Sequence, residues 1–238
     1  MKKHCFINLF LIIICNFISS QEQNINNIIP IEILSFEDQI VVKNIIDNLA
    51  VNTEYKGNRF RCDQNTFNLL LDNLPLSSSI WRAYNFAPPY LIKSKNHNEF
   101  YIEDGVRLKG VLKLVYKDIS KRIYIAHGTI KFDKTIVKIE IEGDAIIIVE
   151  NYISGNEINN NIYVHAKFEN TFWKYLSKIS YTIFKRFIDN RINNIIKDTK
   201  AIAYNVYSNP KRVLFLLKSK NGNSEEILKF ENVFIKSE

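Results

Sequence analysis

After Pro89 and up to residue 169 the pattern of apolar and polar residues has a period of two, broken by turn signals, and from residue 171 the repeat lengthens to three or four. A run of strands followed by one long helix is the only regular structure with both periods in that order. Along "VRLKGVLKLVYK", Val106, Leu108, Gly110, Leu112, Leu114 and Tyr116 face one way, and Arg107, Lys109, Lys113 and Lys117 the other. "RIYIAHGTIKF", "TIVKIEI", "AIIIVENYI" and "NIYVHAKFE" continue the pattern. Turns are expected at Asp104-Gly105, at "KDIS" and at Gly143-Asp144, so the stretch to residue 169 reads as an antiparallel meander of about six strands. Phe172, Leu176, Ile179, Ile183, Phe187, Ile192, Ile195, Thr199 and Ile202 then form the stripe of a helix over 171–207, ended by Asn209-Pro210.

Upstream, Ser35 with Asp38 has the form of a capping box, and Val41, Val42, Ile45, Ile46 and Leu49 recur at helical spacing. "EYKGNRFRC" at 54–62 reads as a first strand. Asp63 caps a helix through "QNTFNLLLDNL" that stops before Pro75, and a second short helix spans "SSSIWRAYNF" up to Pro88 and Pro89. The tail after residue 210 fits either a hairpin about Asn221-Gly222 or two short helices; the hairpin is the preferred reading.

An antiparallel sheet must bury its apolar face, and the long late helix is the element large enough to cover it. The fold class is therefore α+β: a curved antiparallel sheet of about seven strands gripping a long C-terminal helix. Over residues 54–207 this element order resembles the START-like superfamily, also called helix-grip or polyketide-cyclase-like. Members commonly hold lipids, sterols or other apolar ligands between helix and sheet, and others are cyclases or hydrolases in the same cavity. The resemblance thus implies a binder of an apolar small molecule or lipid. The alternatives are a surface or interaction protein with a filled core, and an enzyme of cyclase or hydrolase type.

Met1–Ser20 combines Lys2 and Lys3, an apolar run and small terminal residues, the build of a secretory signal peptide cleaved near Ser20. Residues 21–53 then hold a polar leader and the amphipathic helix, and 208–238 a C-terminal extension. Removing residues 1–20 takes away no acid and lowers the net charge from +7 to +5. A mildly basic secreted or periplasmic protein meets anionic membrane surfaces more readily than nucleic acid, which is not expected as a partner. Cys62 alone remains of the three cysteines, so no internal disulfide is possible, and a lone thiol beside Arg61 reads as a small buried hydrophobe. No Asn-x-Ser/Thr acceptor occurs, in keeping with a bacterial product.

Chemistry finds little support. His97, His127 and His165 stand singly, and neither Cys-x-x-Cys nor His-Glu-x-x-His occurs, so no metal or other cofactor is expected. "GVRLKG" has phosphate-loop glycine spacing without the following Lys-Ser/Thr. Glu103-Asp104 and Glu225-Glu226 fall in turns, where solvated charge is the default. If Tyr124 opposes Leu114, the face of Tyr124, Ala126, Gly128, Ile130 and Phe132 joins the core, and His127 points outward. Val111, Val115, Ile123, Ile125, Ile146 and Ile148 then make the outward face apolar too; the helix of residues 35–50 and the tail are the available covers, and a dimer interface is the other possibility. The expected ligand lining is Tyr101, Leu112, Leu114, Tyr116, Tyr124, Phe132, Phe172, Tyr175 and Ile179, with Trp81, Arg82 and Tyr84 gating the mouth or anchoring the core. Catalytic residues are not assigned, and oligomeric state is left open.

Overall fold

The structure, a computed structural model, describes residues 28–134, 137–169, 181–220 and 223–236. The proposed signal segment, and Phe172, Tyr175 and Ile179 with it, lie outside the described residues. A short 3-10 turn at Ile31–Ile33 leads into α1 (Phe36–Asp47). Its start is the capping box expected at Ser35, whose Oγ accepts from the Asp38 N–H at 3.2 Å and donates to the Asp38 carboxylate at 2.7 Å. Strand β1 (Val51–Arg61) follows, then α2 (Gln64–Asp72) and α3 (Leu74–Ala83). Asp63 caps α2 by accepting from the Thr66 N–H at 2.8 Å, and Pro75 in the first turn of α3 needs no hydrogen-bond partner there.

The meander consists of β2 (Leu91–Ser94), β3 (Glu99–Glu103), β4 (Leu108–Lys117), β5 (Lys121–Lys134), β6 (Val137–Ser154) and β7 (Glu157–Phe168). The seven strands among the described residues form one antiparallel sheet in the order β1-β7-β6-β5-β4-β3-β2. The two short helices thus carry the chain from one edge of the sheet to the other. Helix α4 (Tyr181–Ser208) lies across one face. Its Phe187 and Ile188 pack on Val51, Ile141, Ala145 and Ala166, and its Ile195, Ile202 and Val206 pack on α2, α3 and strand residues Ile102, Leu108 and Ile158.

Two expected turns resolve differently. Asp104-Gly105 does turn the chain, with Gly105 at φ +74°, but in a loop to Leu108 rather than a two-residue hairpin. Gly143-Asp144 is not a turn: β6 runs through it without interruption. Gly143 pairs with Gly128, which pairs with Gly110, so the three glycines form a row across β4, β5 and β6. A Cβ on Gly128 would lie 2.8 Å from the Gly110 Cα, closer than side chains tolerate. The glycine at 143 therefore serves close strand approach, and the two-residue turn of this part of the chain is Gly155-Asn156, between Ser154 and Glu157.

The register places Tyr124 opposite Leu114, as expected, and Tyr124 is buried on the α4 side. A bulge between Leu114 and Tyr116 then reverses the alternation. Tyr116 consequently packs with Val115 on the opposite face, a correction to its expected place in the core. That opposite face is the apolar surface anticipated from the sequence, and α1 covers it. Val42, Ile45 and Ile46 bury themselves against Ile123, Ile125, Ile146, Ile148 and Tyr163. Each such aliphatic side chain contributes roughly 1.5–3 kcal/mol when buried.

The tail forms two helices, α5 (Pro210–Ser219) and α6 (Ser224–Phe234), not the preferred hairpin. Asn209 accepts from the Arg212 N–H at 3.1 Å, so Asn209-Pro210 ends α4 and starts α5 in one step. Val213, Leu217, Phe230 and Phe234 join the same core cluster as α2, α3 and α4.

Candidate functional site

A pocket of about 190 Å³ opens where the short helices, the far edge of the sheet and α4 meet. Phe67, Leu70 and Leu71 of α2 form one wall, and Leu74, Ser77, Ser78 and Trp81 of α3 another. Tyr90, Ile92 and Ile102 close the sheet side, and Ile195, Thr199 and Ile202 of α4 the remaining side. Each wall follows from local pattern: Phe67, Leu70 and Leu71, like Ile195, Thr199 and Ile202, sit three or four residues apart and share a helix face.

The serine hydroxyls and the indole N–H in these walls are turned to the protein's own backbone. Ser77 Oγ donates to the Leu70 carbonyl at 2.6 Å, Ser78 Oγ to the Pro75 carbonyl at 2.8 Å, and Trp81 Nε1 to the Pro88 carbonyl at 2.9 Å. Trp81 is further fixed edge-on against Phe86 and Tyr90, with ring centroids 5.6 and 5.3 Å away. Burial raises the pKa of Tyr90, opposed by the Arg191 guanidinium over its ring, so the phenol stays neutral. Its hydroxyl has no partner of hydrogen-bonding geometry. The inner surface of the pocket is hydrocarbon.

An ion pair beside the pocket ties α4 to the sheet. Asp104, 1% exposed, accepts from the backbone N–H groups of Val106, Arg107 and Leu108 and pairs with Arg191. Burial alone would raise its pKa, but those donors outweigh it and hold the carboxyl at about 2. The sequence expectation of a solvated turn charge fails here, because the loop folds over the carboxylate. Asp198, on α4, has its pKa raised by burial against the opposing charge of Lys197.

Of the residues expected to line or gate a cavity, Trp81 stands in this pocket. Arg82 turns away from it: its guanidinium donates to Ser78 Oγ at 3.0 Å, the Tyr90 carbonyl at 2.9 Å and Ser79 Oγ at 2.6 Å, locking α3 to the chain entering β2. Tyr84 stacks on Phe86 at 5.5 Å in the core cluster. Leu112 and Leu114 lie on the α4 face of β4, and Tyr124 reaches the Leu71 carbonyl at 3.4 Å, all outside the pocket walls. Tyr101 is paired with Val111 and belongs to the other face, its hydroxyl donating to Glu103 at 3.3 Å. Phe100 and Ile102 take the inward positions of that strand. Phe132 pairs with Ile139 through its backbone, and its side chain lies outside the described ones.

The strand histidine faces out. His127 is paired with Asp144 at 2.7 Å and is 61% exposed, with Glu142 at 3.6 Å and Lys167 on the far side of Asp144 at 3.0 Å. Cys62 is buried, and burial together with Asp63 pushes its thiol up to about 12, so it is no nucleophile at neutral pH. Among the described residues there is no cluster of side chains able to hold a metal, and no helix is long and apolar enough to cross a membrane.

No protein-family model matches the chain, and no curated protein does. Solved structures similar to it include that of Ara h 8.0201, at 8% identity and TM-score 0.40, over 64% of this chain and 95% of that one. A conserved protein from Geobacillus kaustophilus is similar at 12% identity and TM-score 0.43, over 65% and 93%. The di-domain ARO/CYC StfQ from the steffimycin biosynthetic pathway is similar at 12% identity and TM-score 0.41, over 68% of this chain and 53% of that one. Likenesses this loose say nothing of ligand or activity. What decides the fold is the strand order, with β1 beside β7, the meander ending in β2 at the far edge, and α4 across one face. The fold is START-like, of the helix-grip kind. In this helix-grip chain the pocket lies toward the C-terminal half of α4, against the two short helices.

Proposed function

We propose that the chain is a non-catalytic binder of a small apolar molecule, held between α2, α3, the β2–β3 edge and α4. The observation that carries this reading is a pocket whose serine hydroxyls and indole N–H are already bonded to backbone carbonyls, leaving hydrocarbon for a ligand to meet. Such a surface rewards displacement of poorly bonded water by apolar groups. It offers no convergent polar pair for acid, base or nucleophile, which favours binding over the cyclase or hydrolase alternative. The volume sets the scale. A dry apolar cavity of about 150 Å³ takes benzene, so about 190 Å³ suits one substituted ring or the end of a single hydrocarbon chain. A lipid would enter by the tip of one acyl chain, its headgroup remaining outside. With the leader removed, this binder would work outside the cytoplasm, in the periplasm or beyond, and its basic character suits an anionic membrane surface as the place of loading.

Native mass spectrometry of the purified protein, followed by solvent extraction, tests the reading directly. Toluene binding followed by ligand-observed NMR adds a defined probe. Filling the pocket with Ile195→Trp is expected to weaken toluene binding at least tenfold while leaving the circular dichroism unchanged. Recovery of no molecule, together with no toluene uptake by the unaltered chain, would leave the filled-core interaction protein as the better account.

A further inference from the structure

His165 is the most deeply buried histidine of the described chain, 1% exposed, and neither ring nitrogen has a hydrogen-bond partner. It lies on β7 between Asn52 of β1 and Ile146 of β6. Tyr163, two residues earlier on the same face, and Ile146 belong to the cluster that α1 covers with Val42, Ile45 and Ile46. The imidazole therefore sits in the seam between α1 and the sheet. Burying a polar group without a partner costs roughly 1–3 kcal/mol, so this seam contains a standing penalty.

We propose that α1 is an acid-sensitive cover: protonation of His165 beneath it lifts the helix and bares the apolar face of Ile123, Ile125, Ile146, Ile148 and Tyr163. The charges around the ring cannot receive the new cation in place. On β1, Glu54 is exposed and bonded to Lys56 at 2.6 Å. On β6, Asp144 is held by His127 of β5 at 2.7 Å and by Lys167 of β7 at 3.0 Å. From α1, Asp38 is spent on Lys113 of β4 at 2.7 Å, while Glu37, Lys43 and Asp47 face solvent. An imidazolium between Asn52 and Ile146 would find no acid free to pair with it, and hydration is gained when the cover opens. Burial already lowers the pKa of His165 to about 4, against an opposing pull from Glu54. The covered form therefore disfavours the proton, and the opened form, with an ordinary imidazole near 6.5, takes it. The advantage of opening is absent above pH 6.5, grows as pH falls toward 4, and is constant below that.

Hydrogen exchange of the full chain, corrected for intrinsic rates, reads this opening. Between pH 7.5 and 4.5 the amides of residues 36–47 are expected to lose protection on the order of 50-fold, with those of α4 unchanged. In His165→Leu, or in His165→Met should the leucine variant fold poorly, α1 should keep its protection at pH 4.5. A gain in binding of an apolar dye between pH 7.5 and 4.5 by the unaltered chain, absent in the variant, would accompany this. Protection lost evenly over α1 and α4, or the same loss in a folded His165 variant, would overturn the proposal. So would a histidine titration by NMR that puts His165 near 6.5 with α1 still protected.

Discussion

At the scale of single residues, the charges that matter are those the fold has removed from water. Asp104 reads in sequence as one half of an acidic pair in a turn, and nothing local distinguishes it from Glu225. Only the closure of 105–108 over its carboxylate and the arrival of Arg191, 87 residues later, bury it. Because its pKa is held below the unfolded value of 3.8, its stabilising effect is complete above about pH 4 and lost as pH falls toward 2. Asp104→Asn is expected to lower stability by roughly 3 kcal/mol at pH 7 through the unpaired Arg191. The gap from the unaltered protein should narrow as acid neutralises Asp104, which urea unfolding at pH 7 and pH 3 would show. His127, by contrast, was legible: alternation and one correct register, Leu114 opposite Tyr124, were enough to turn it to solvent.

At the scale of elements, period and caps carried most of the information. Ser35, Asp63 and Asn209 each begin a helix by the side-chain acceptance that their residue type suggests. The readings fail where pairing across strands overrides a local signal. Gly143-Asp144 has the composition of a turn, yet its glycine is used for proximity to Gly128 and Phe168. Tyr116 follows the alternation until a bulge that leaves no mark in the sequence displaces it. Gly128→Ala tests the glycine row: a methyl group there meets the Lys109 carbonyl and the Gly110 Cα. We expect destabilisation above about 2 kcal/mol, measured by thermal or urea unfolding, since two backbones would have to separate. The same change at exposed Gly57, whose added Cβ meets nothing, is a control for backbone conformation at φ +72° without a clash.

For the molecule as a whole, the sheet and its long helix were foreseeable because few arrangements bury a meander followed by a helical stripe. The position of the pocket was not. Its α4 wall, Ile195, Thr199 and Ile202, lies on the predicted stripe, but which stretch of that stripe meets open space depends on how α2 and α3 pack, a long-range property. Nor did the tail betray its place in the core. Val213, Leu217, Phe230 and Phe234 pack with α2, α3 and α4. Truncation after Ser208 should therefore abolish cooperative thermal unfolding seen by circular dichroism, and a cooperative transition in the truncated chain would show that the tail is an accessory.

The strand order has a temporal meaning as well. Strand β1 precedes the meander in sequence, yet its partner across the ladder is β7, so Val51 waits for Ala166 before it is secured. Until then β1 is a bare edge, and α1 next to it has no complete floor to lie on. Pairings this distant in sequence slow the search for the native state. Closure of the sheet therefore has to wait for β7, with β1 and α1 among the last of the described elements to settle.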